Sequence, residues 1–323
     1  MPSPSEALST LRPDLGGSLE EFDLAMDRQG FIGHRVLPVF EAASQSGVYG
    51  KIPLAELLQA RDTRRGPGGN YNRGAHQFEP ETYACEEHGL EEAVDDRESQ
   101  MYAQYFDAEV VAAQRALDGV LREAEKRIAA AVFNATTWTS YTTGITHEWD
   151  DATNAVPLTD VETAAQAVYS QCGMWPNALI INRKVFRNLR NVDQVVDRIK
   201  YAGITDPRAG AITEAAMAQA FDIDEIIVAG SAKNTADEGA TASLSPIWSD
   251  EYAMVARICR TNDIREPGVG RTIHWAADGS SIGGTVESYR AEDIRSDIVR
   301  VRHDVDEVIL YVAAGHLLSN VTT

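Results

Sequence analysis

The apolar residues of this chain fall into several distinct rhythms. Tyr102, Phe106, Val110, Ala113, Leu117, Val120, Ala124, Ile128 and Ala131 recur at steps of three and four, which puts them on one stripe of a helix. The spacing predicts a helix over 99–133, capped by Ser99 and about 50 Å long. A single-stripe helix of that length needs a long surface to lie against. From about 157 the pattern alternates between helix and strand. Asp160 caps a helix through Val168, and Ala178–Ile181 reads as a buried strand. Broken helix covers 185–199 and a further helix 213–221, with strands at 225–229 and 252–259. After about 284 the period becomes two: Val299 and Val301 alternate with Arg300 and Arg302, and an apolar run fills 305–312. Asp304-Val305-Asp306 predicts a turn between them, hence an antiparallel hairpin. Helix and hairpin together suggest a second, discontinuous domain.

The ends of this pattern are less regular. Pro2, Pro4, Pro13, Gly16 and Gly17 break any early helix. The short patches Phe31-Ile32 and 36–40 cannot form a core by themselves. Residues 1–45 therefore read as an arm. Residues 46–97 read as one long, partly extended excursion. Arg61-Asp62-Thr63-Arg64-Arg65 leads into Gly66-Pro67-Gly68-Gly69, a loop tip, with Arg73 just beyond. The sign then reverses through Glu79, Glu81, Glu86, Glu87, Glu91, Glu92, Asp95, Asp96 and Glu98. Structureless loops of this length are uncommon inside compact domains. The segment points to a contact made elsewhere, with Arg61, Arg64, Arg65 and Arg73 set against Glu86, Glu87, Glu91 and Glu92 of another copy.

Composition narrows the function. A length of 323 residues suits about two compact units. A formal charge of −20 argues against coating nucleic acid, which takes clustered Lys and Arg. Cys85, Cys172 and Cys259 lie far apart, the pattern of buried thiols and not of a disulfide framework or zinc site. No apolar run approaches the roughly 18 residues of a membrane span. The start, from Met1 to Glu6, lacks the basic and apolar stretches of a secretory signal, so a cytoplasmic origin is expected.

Candidate chemistry is sparse. His147-Glu148-Trp149-Asp150-Asp151 lacks the second His of a zinc-protease helix. Asp222-Ile223-Asp224-Glu225 lacks the Gly and distal Glu of a calcium loop and reads as a strand-entry cap. Gly268-Val269-Gly270-Arg271 is not a dinucleotide fingerprint. No catalytic, cofactor or metal site is assigned.

The order of parts, namely arm, extended loop, long helix, α/β unit and returning strands, resembles the major capsid proteins of tailed bacteriophages. The phrases 175–181, 195–201, 234–239, 244–248, 285–290 and 315–318 strengthen the resemblance, which covers the chain from about residue 30 onward. It implies an α+β protein of the Hong Kong-type capsid fold, with an N-terminal arm (1–45) running along an adjacent subunit and an extended β loop (46–97) overlapping a neighbour. A peripheral domain would hold the spine helix (98–156) and the returning antiparallel strands (284–323). An axial α/β domain (157–283) would meet its copies around five-fold and six-fold axes.

The implied function is a structural one: a subunit that self-assembles as pentamers and hexamers into the icosahedral head of a virion, formed in the host cytoplasm. The implied partners are a portal, a separate scaffold, possible decoration proteins and weakly, non-specifically held double-stranded DNA, with no membrane and no cofactor. Some relatives cross-link a loop Lys to a neighbour's Asn. Lys51 is the sole Lys in this region, but no motif supplies its partners. The rival readings are an encapsulin-type nanocompartment shell and an α/β enzyme with an antiparallel accessory domain, which would need a pocket of convergent polar groups within 157–283.

Overall fold

A computed structural model describes residues 30–51, 53, 58–74, 79–102, 107–201, 212–237, 239–261, 263, 266–276 and 281–322. Most of the arm, positions 52, 54–57 and 75–78 of the loop, and Phe106 of the apolar stripe lie outside the described residues.

The chain begins with a short helix α1 (Gly33–Val36), then strands β1 (Val39–Ala42), β2 (Ser46–Lys51), β3 (Glu79–Ala84) and β4 (Glu86–Asp95). Helices α2 (Asp96–Tyr102) and α3 (Ala108–Val132) follow, then β5 (Thr142–Gly144) and α4 (Pro157–Cys172). Next come β6 (Ala178–Asn182), α5 (Arg183–Leu189), α6 (Asp193–Tyr201), α7 (Glu214–Phe221), β7 (Glu225–Ala229), β8 (Ala232–Asn234) and β9 (Leu244–Pro246). The chain closes with β10 (Tyr252–Ala256), β11 (Gly270–Trp275), β12 (Thr285–Ala291), β13 (Ser296–Ile309) and β14 (Gly315–Ser319).

The long helix is shorter than its spacing predicts. Asp107 is extended (φ −79°, ψ 113°) and accepts the Glu109 N–H at 3.0 Å, so α3 starts afresh there and α2 is a separate turn of helix. Ser99 lies inside α2 and caps nothing. At 25 residues α3 is about 37 Å long. Its buried stripe runs through Ala113, Leu117, Val120, Ala124, Ile128 and Val132. The first half packs on Val94, Val286, Val299 and Val301, and the second half on Phe31, Val36, Ile180 and Trp248. One helix thus spans two cores.

The first core lies under the sheet β1-β11-β13-β12, with β4 on the other edge of β13. Here β13 is a single 14-residue strand, and no turn occurs at Asp304-Val305-Asp306. Both acids are held in place: buried Asp304 lies 3.6 Å from Arg302, and Asp306 accepts the Ala84 N–H at 2.9 Å. The hairpin turn falls instead at 292–295, where Arg295 takes a left-handed φ of 51°.

The second sheet, β5-β14-β10-β6-β7, carries the α/β unit. All five β6 residues are buried. Alternation sends Leu179 and Ile181 to the face under α4, α6 and α7, and Ala178 and Ile180 to the face shared with α3. Asp160 does not cap α4, which starts at Pro157; it accepts the Trp149 indole N–H at 3.0 Å. Sheet membership also crosses the sequence-based boundaries. Gly315–Ser319, read with the returning strands, pairs with β10, while Gly270–Trp275, read with the axial unit, pairs with β13.

The arm's apolar patches do not wait for a partner. Phe31, Ile32, Val36 and Leu37 are buried in this chain's own second core, and β1 lies parallel to β11.

Candidate assembly surface

The excursion resolves into two parts. Residues 86–95 are a regular strand hydrogen-bonded to β13 along ten positions, so the acidic return belongs to the chain's own sheet and not to an extended loop. Its charges alternate across that sheet. On the outer face Glu91 lies 3.5 Å from Arg300 and accepts from the Tyr289 hydroxyl at 3.3 Å, while Glu87 lies 3.9 Å from Arg302. On the α3 side Glu92 lies 2.9 Å from Arg115. Glu86 is exposed and, among the described residues, pairs with no cation. Both Arg300 and Arg302 also donate to Glu287 on β12. Burial works against ionising Glu287, yet the two guanidiniums prevail and hold its carboxyl below the usual range. Three of the four acidic candidates are thus answered within the chain.

The remainder is a β2–β3 ribbon and the loop it carries. On one side of the ribbon Lys51 lies 3.5 Å from Glu81 and 5.0 Å above the Tyr311 ring. Leu58 rests against Gly173, the left-handed residue ending α4 (φ 72°), where a Cβ would come within 2.6 Å of Leu58 Cδ1. Every described residue from 58 to 74 is exposed. The tip is stitched to itself. The Gly69 N–H donates to Gly66 O at 3.0 Å across Pro67 and Gly68 (φ 77°), a turn that favours glycine at its third position. Arg65 donates to Gly69 O at 2.6 Å and lies 4.6 Å above the Tyr71 ring. The Arg64 backbone N–H donates to Asp62 at 2.9 Å, and the residue is exposed. Four arginines, 61, 64, 65 and 73, therefore share one exposed tip with Asp62 as the acid among the residues between them. The structure brings the arginines together but not onto the acidic strand.

The long helix α3 also carries a buried acid, Glu125. Glu125 is 4% exposed. Its Oε1 accepts from Ile32 N at 2.9 Å and the Trp248 indole at 2.6 Å, and its Oε2 accepts from Gly33 N at 2.7 Å. Burial raises its pKa, opposed by those three donors. A Cβ at Gly33 would sit 2.5 Å from Oε2, so glycine there permits the approach. This carboxylate ties the arm's end, α3 and the turn after β9 together. Its place between Leu121 and Ile128, at steps of four and three, was the available signal.

The motifs set aside are structural in this fold. Asp151 caps its own loop, accepting from Thr153 N, Asn154 N and the Asn154 amide. Asp222 ends α7 in left-handed conformation (φ 56°), and Gly268 admits Cys259 at close range. Among the described residues no group of three or more His, Cys, Asp or Glu could hold a metal ion, and no helix is long and apolar enough to cross a membrane.

No family model matches the chain. Two curated relatives do. The chain is 26% identical over 307 residues to the major capsid protein of Burkholderia phage BcepMu, covering 90% of this chain and 91% of that one. It is 22% identical over 292 residues to the major capsid protein of Pseudomonas phage JBD67, with the same shares covered. Among solved structures, a phage-related protein from Bordetella bronchiseptica superposes with a TM-score of 0.68 at 22% identity, covering 97% of this chain and 98% of that chain. The capsid of cyanophage P-SCSP1u gives 0.59 at 11% identity over 88% and 86%. An encapsulin complex from Synechococcus elongatus gives 0.51 at 12% identity over 89% and 86%. The fold alone is therefore common to phage and encapsulin shells, whereas the sequence relatives are phage proteins. The chain is a homologue of phage major capsid proteins with their shell-forming fold, and its role is that of a capsid structural protein.

Proposed function

We propose that this chain is the major subunit of a tailed phage head, assembling as pentamers and hexamers into an icosahedral shell around the genome in the host cytoplasm. The observation that carries the reading is homology to phage major capsid proteins across nine-tenths of both chains. Within that shell, residues 46–85 are the loop that overlaps a neighbour, and residues before Gly30 are the arm that runs along one. The sheet of β1, β4, β11, β12 and β13 with the first half of α3 forms the peripheral part, and the sheet of β5, β6, β7, β10 and β14 with its helices forms the axial part. Arg61, Arg64, Arg65 and Arg73 face acids of an adjacent copy. Glu86 is the most available of the four acids named, since Glu87, Glu91 and Glu92 already meet Arg302, Arg300 and Arg115. No catalytic role is proposed.

Portal, scaffold and decoration proteins are the further partners, and DNA touches the shell weakly and without sequence preference. Supporting this, the cations of α3 are matched in place: Arg115 by Glu92, Arg122 by Asp118, Lys126 by Glu123 and Arg127 by Glu307. Paired cations make a poor phosphate-binding strip. Negative-stain microscopy and light scattering of purified protein test the function. Closed particles carrying tails or dense DNA are expected. Particles filled with enzyme and free of DNA would favour the encapsulin reading, and a subunit that never assembles would defeat both.

A further inference from the structure

Between the carboxyl ends of parallel strands β6 and β7 and the β8–β9 hairpin lies a cavity of about 170 Å³. In open α/β sheets ligands bind beyond these strand ends. A water takes up roughly 30 Å³ of liquid, so there is room for about five, or for one small polyatomic ion. The polar wall is Asn182, Arg183, Gly230, Ser231 and Ser245, with Leu244 beside them.

The hydrogen-bonding groups of this wall are unequally used. Asn182 is engaged, accepting from Lys184 N at 2.7 Å and donating to Trp248 O. Gly230 N donates to Gly30 O at 3.1 Å. The Ser231 and Ser245 hydroxyls are buried and have no hydrogen-bond partner, and Ser231 as a whole is 4% exposed. Buried polar side chains nearly always have a partner, so two orphans on one cavity point to an occupant. Arg183 adds charge. Its guanidinium lies 3.4 Å from Glu214, but the two side chains are 60% and 48% exposed, so water screens the pair and holds the arginine only weakly to its acid. None of the described residues lining the cavity carries a carboxylate, although the chain has 49 Asp and Glu against 29 Lys and Arg. Two unused hydroxyl donors and a guanidinium, with no acid among them, suit an oxyanion.

We propose that this cavity binds a small free oxyanion of phosphate size, held by the Ser231 and Ser245 hydroxyls and neutralised by Arg183. The site does not rest on the capsid reading. Calorimetric titration of the full chain with inorganic phosphate, at ionic strength held constant with chloride, tests it. One saturable site per chain is expected. Replacing both serines (Ser231→Ala with Ser245→Ala) should weaken binding about tenfold or more, as the loss of two hydrogen bonds to a charged group would. Arg183→Gln should weaken it as well. The serine changes remove only hydroxyls without partners, so the fold should survive, and an unchanged urea midpoint checks this. Phosphate heat that does not saturate, affinity that ignores the serine pair, or binding lost only when Arg64 and Arg65 of the tip become Gln would each overturn the proposal. Backbone phosphate of DNA has the same chemistry but brings a sugar on either side, which the cavity has no room for. A short duplex should therefore not displace the bound phosphate, and displacement that depends on the two serines would overturn the free-anion assignment in favour of nucleic acid.

Discussion

The sheet containing β6 and the ribbon of β2 and β3 are both built from short strands, but they are stabilised differently. β6 is buried at every residue and hydrogen-bonded on both sides, to β7 and β10. The ribbon has two strands and exposes Ser46, Val48 and Gly50 along β2. A two-stranded ribbon is marginal in water by itself. The first region is complete within the chain; the second holds its shape through a turn and a few polar contacts and offers its cations outward. If the ribbon serves the contact proposed for it, stability and assembly lie in separate places.

That contrast can be broken most severely in the sheet. Leu179→Ala removes a fully buried side chain from β6 and should lower subunit stability by about 2–5 kcal/mol, read as a drop in the urea midpoint. A loss under 1 kcal/mol would mean the sheet is less self-sufficient than its burial implies. Next comes the carboxylate between the cores. Glu125→Ala strands three buried donors, and should cost about 2–4 kcal/mol; Glu125→Gln, which keeps an acceptor, should cost less. Equal losses in the two variants would show that the donors find other partners.

Acid should weaken the body next. His303 is fully buried, with Nε2 unpartnered, and burial pushes its pKa down to about 4, with Arg127 and His88 adding to the fall against the Ile282 carbonyl. His34 is likewise lowered to about 4, by burial and by Arg127 and His274. In the unfolded chain both would titrate near 6.5. The unfolded state therefore binds protons first, so stability present above about pH 6.5 falls as pH drops toward 4. Urea midpoints measured across that window should show the fall, and His303→Asn should flatten it. A midpoint that does not move would contradict the burial of both rings.

The smallest effect on the isolated subunit belongs to the tip. Reversing Arg61, Arg64 and Arg65 to Glu should change its stability by less than about 0.5 kcal/mol, as exposed sites usually do. Particle yield should nevertheless fall, most at low salt where screening is least. Unchanged yield would remove these arginines from the assembly surface.

What could be read from the chain divides along the same line. The α3 stripe, buried β6 and the Thr213-capped α7 were legible because each is a local period with a local boundary. The false turn at 304–306 has another cause. Asp304 and Asp306 look like breakers until Arg302 and Ala84 N answer them, and Ala84 lies 222 residues away. The arm was misread for the same reason: only the close approaches at Gly30 and Gly33 let it into the core. For the candidate site, the Pro-Gly tip made a shared loop for the arginines legible, but nothing local could foresee that Glu87, Glu91 and Glu92 would be engaged by Arg302, Arg300 and Arg115.

The unbroken β13 has a mechanical consequence. At about 3.3 Å per residue its 14 residues make a beam about 46 Å long. Its partners grip it from both flanks, β4 along one edge and β11 with β12 in succession along the other. A pull along the strand axis would load these hydrogen bonds simultaneously, in shear, and not peel them one after another. A turn at 304–306 would have cut the beam into two short lengths, each able to slip alone. Kept whole, it passes tension from one end of its sheet to the other.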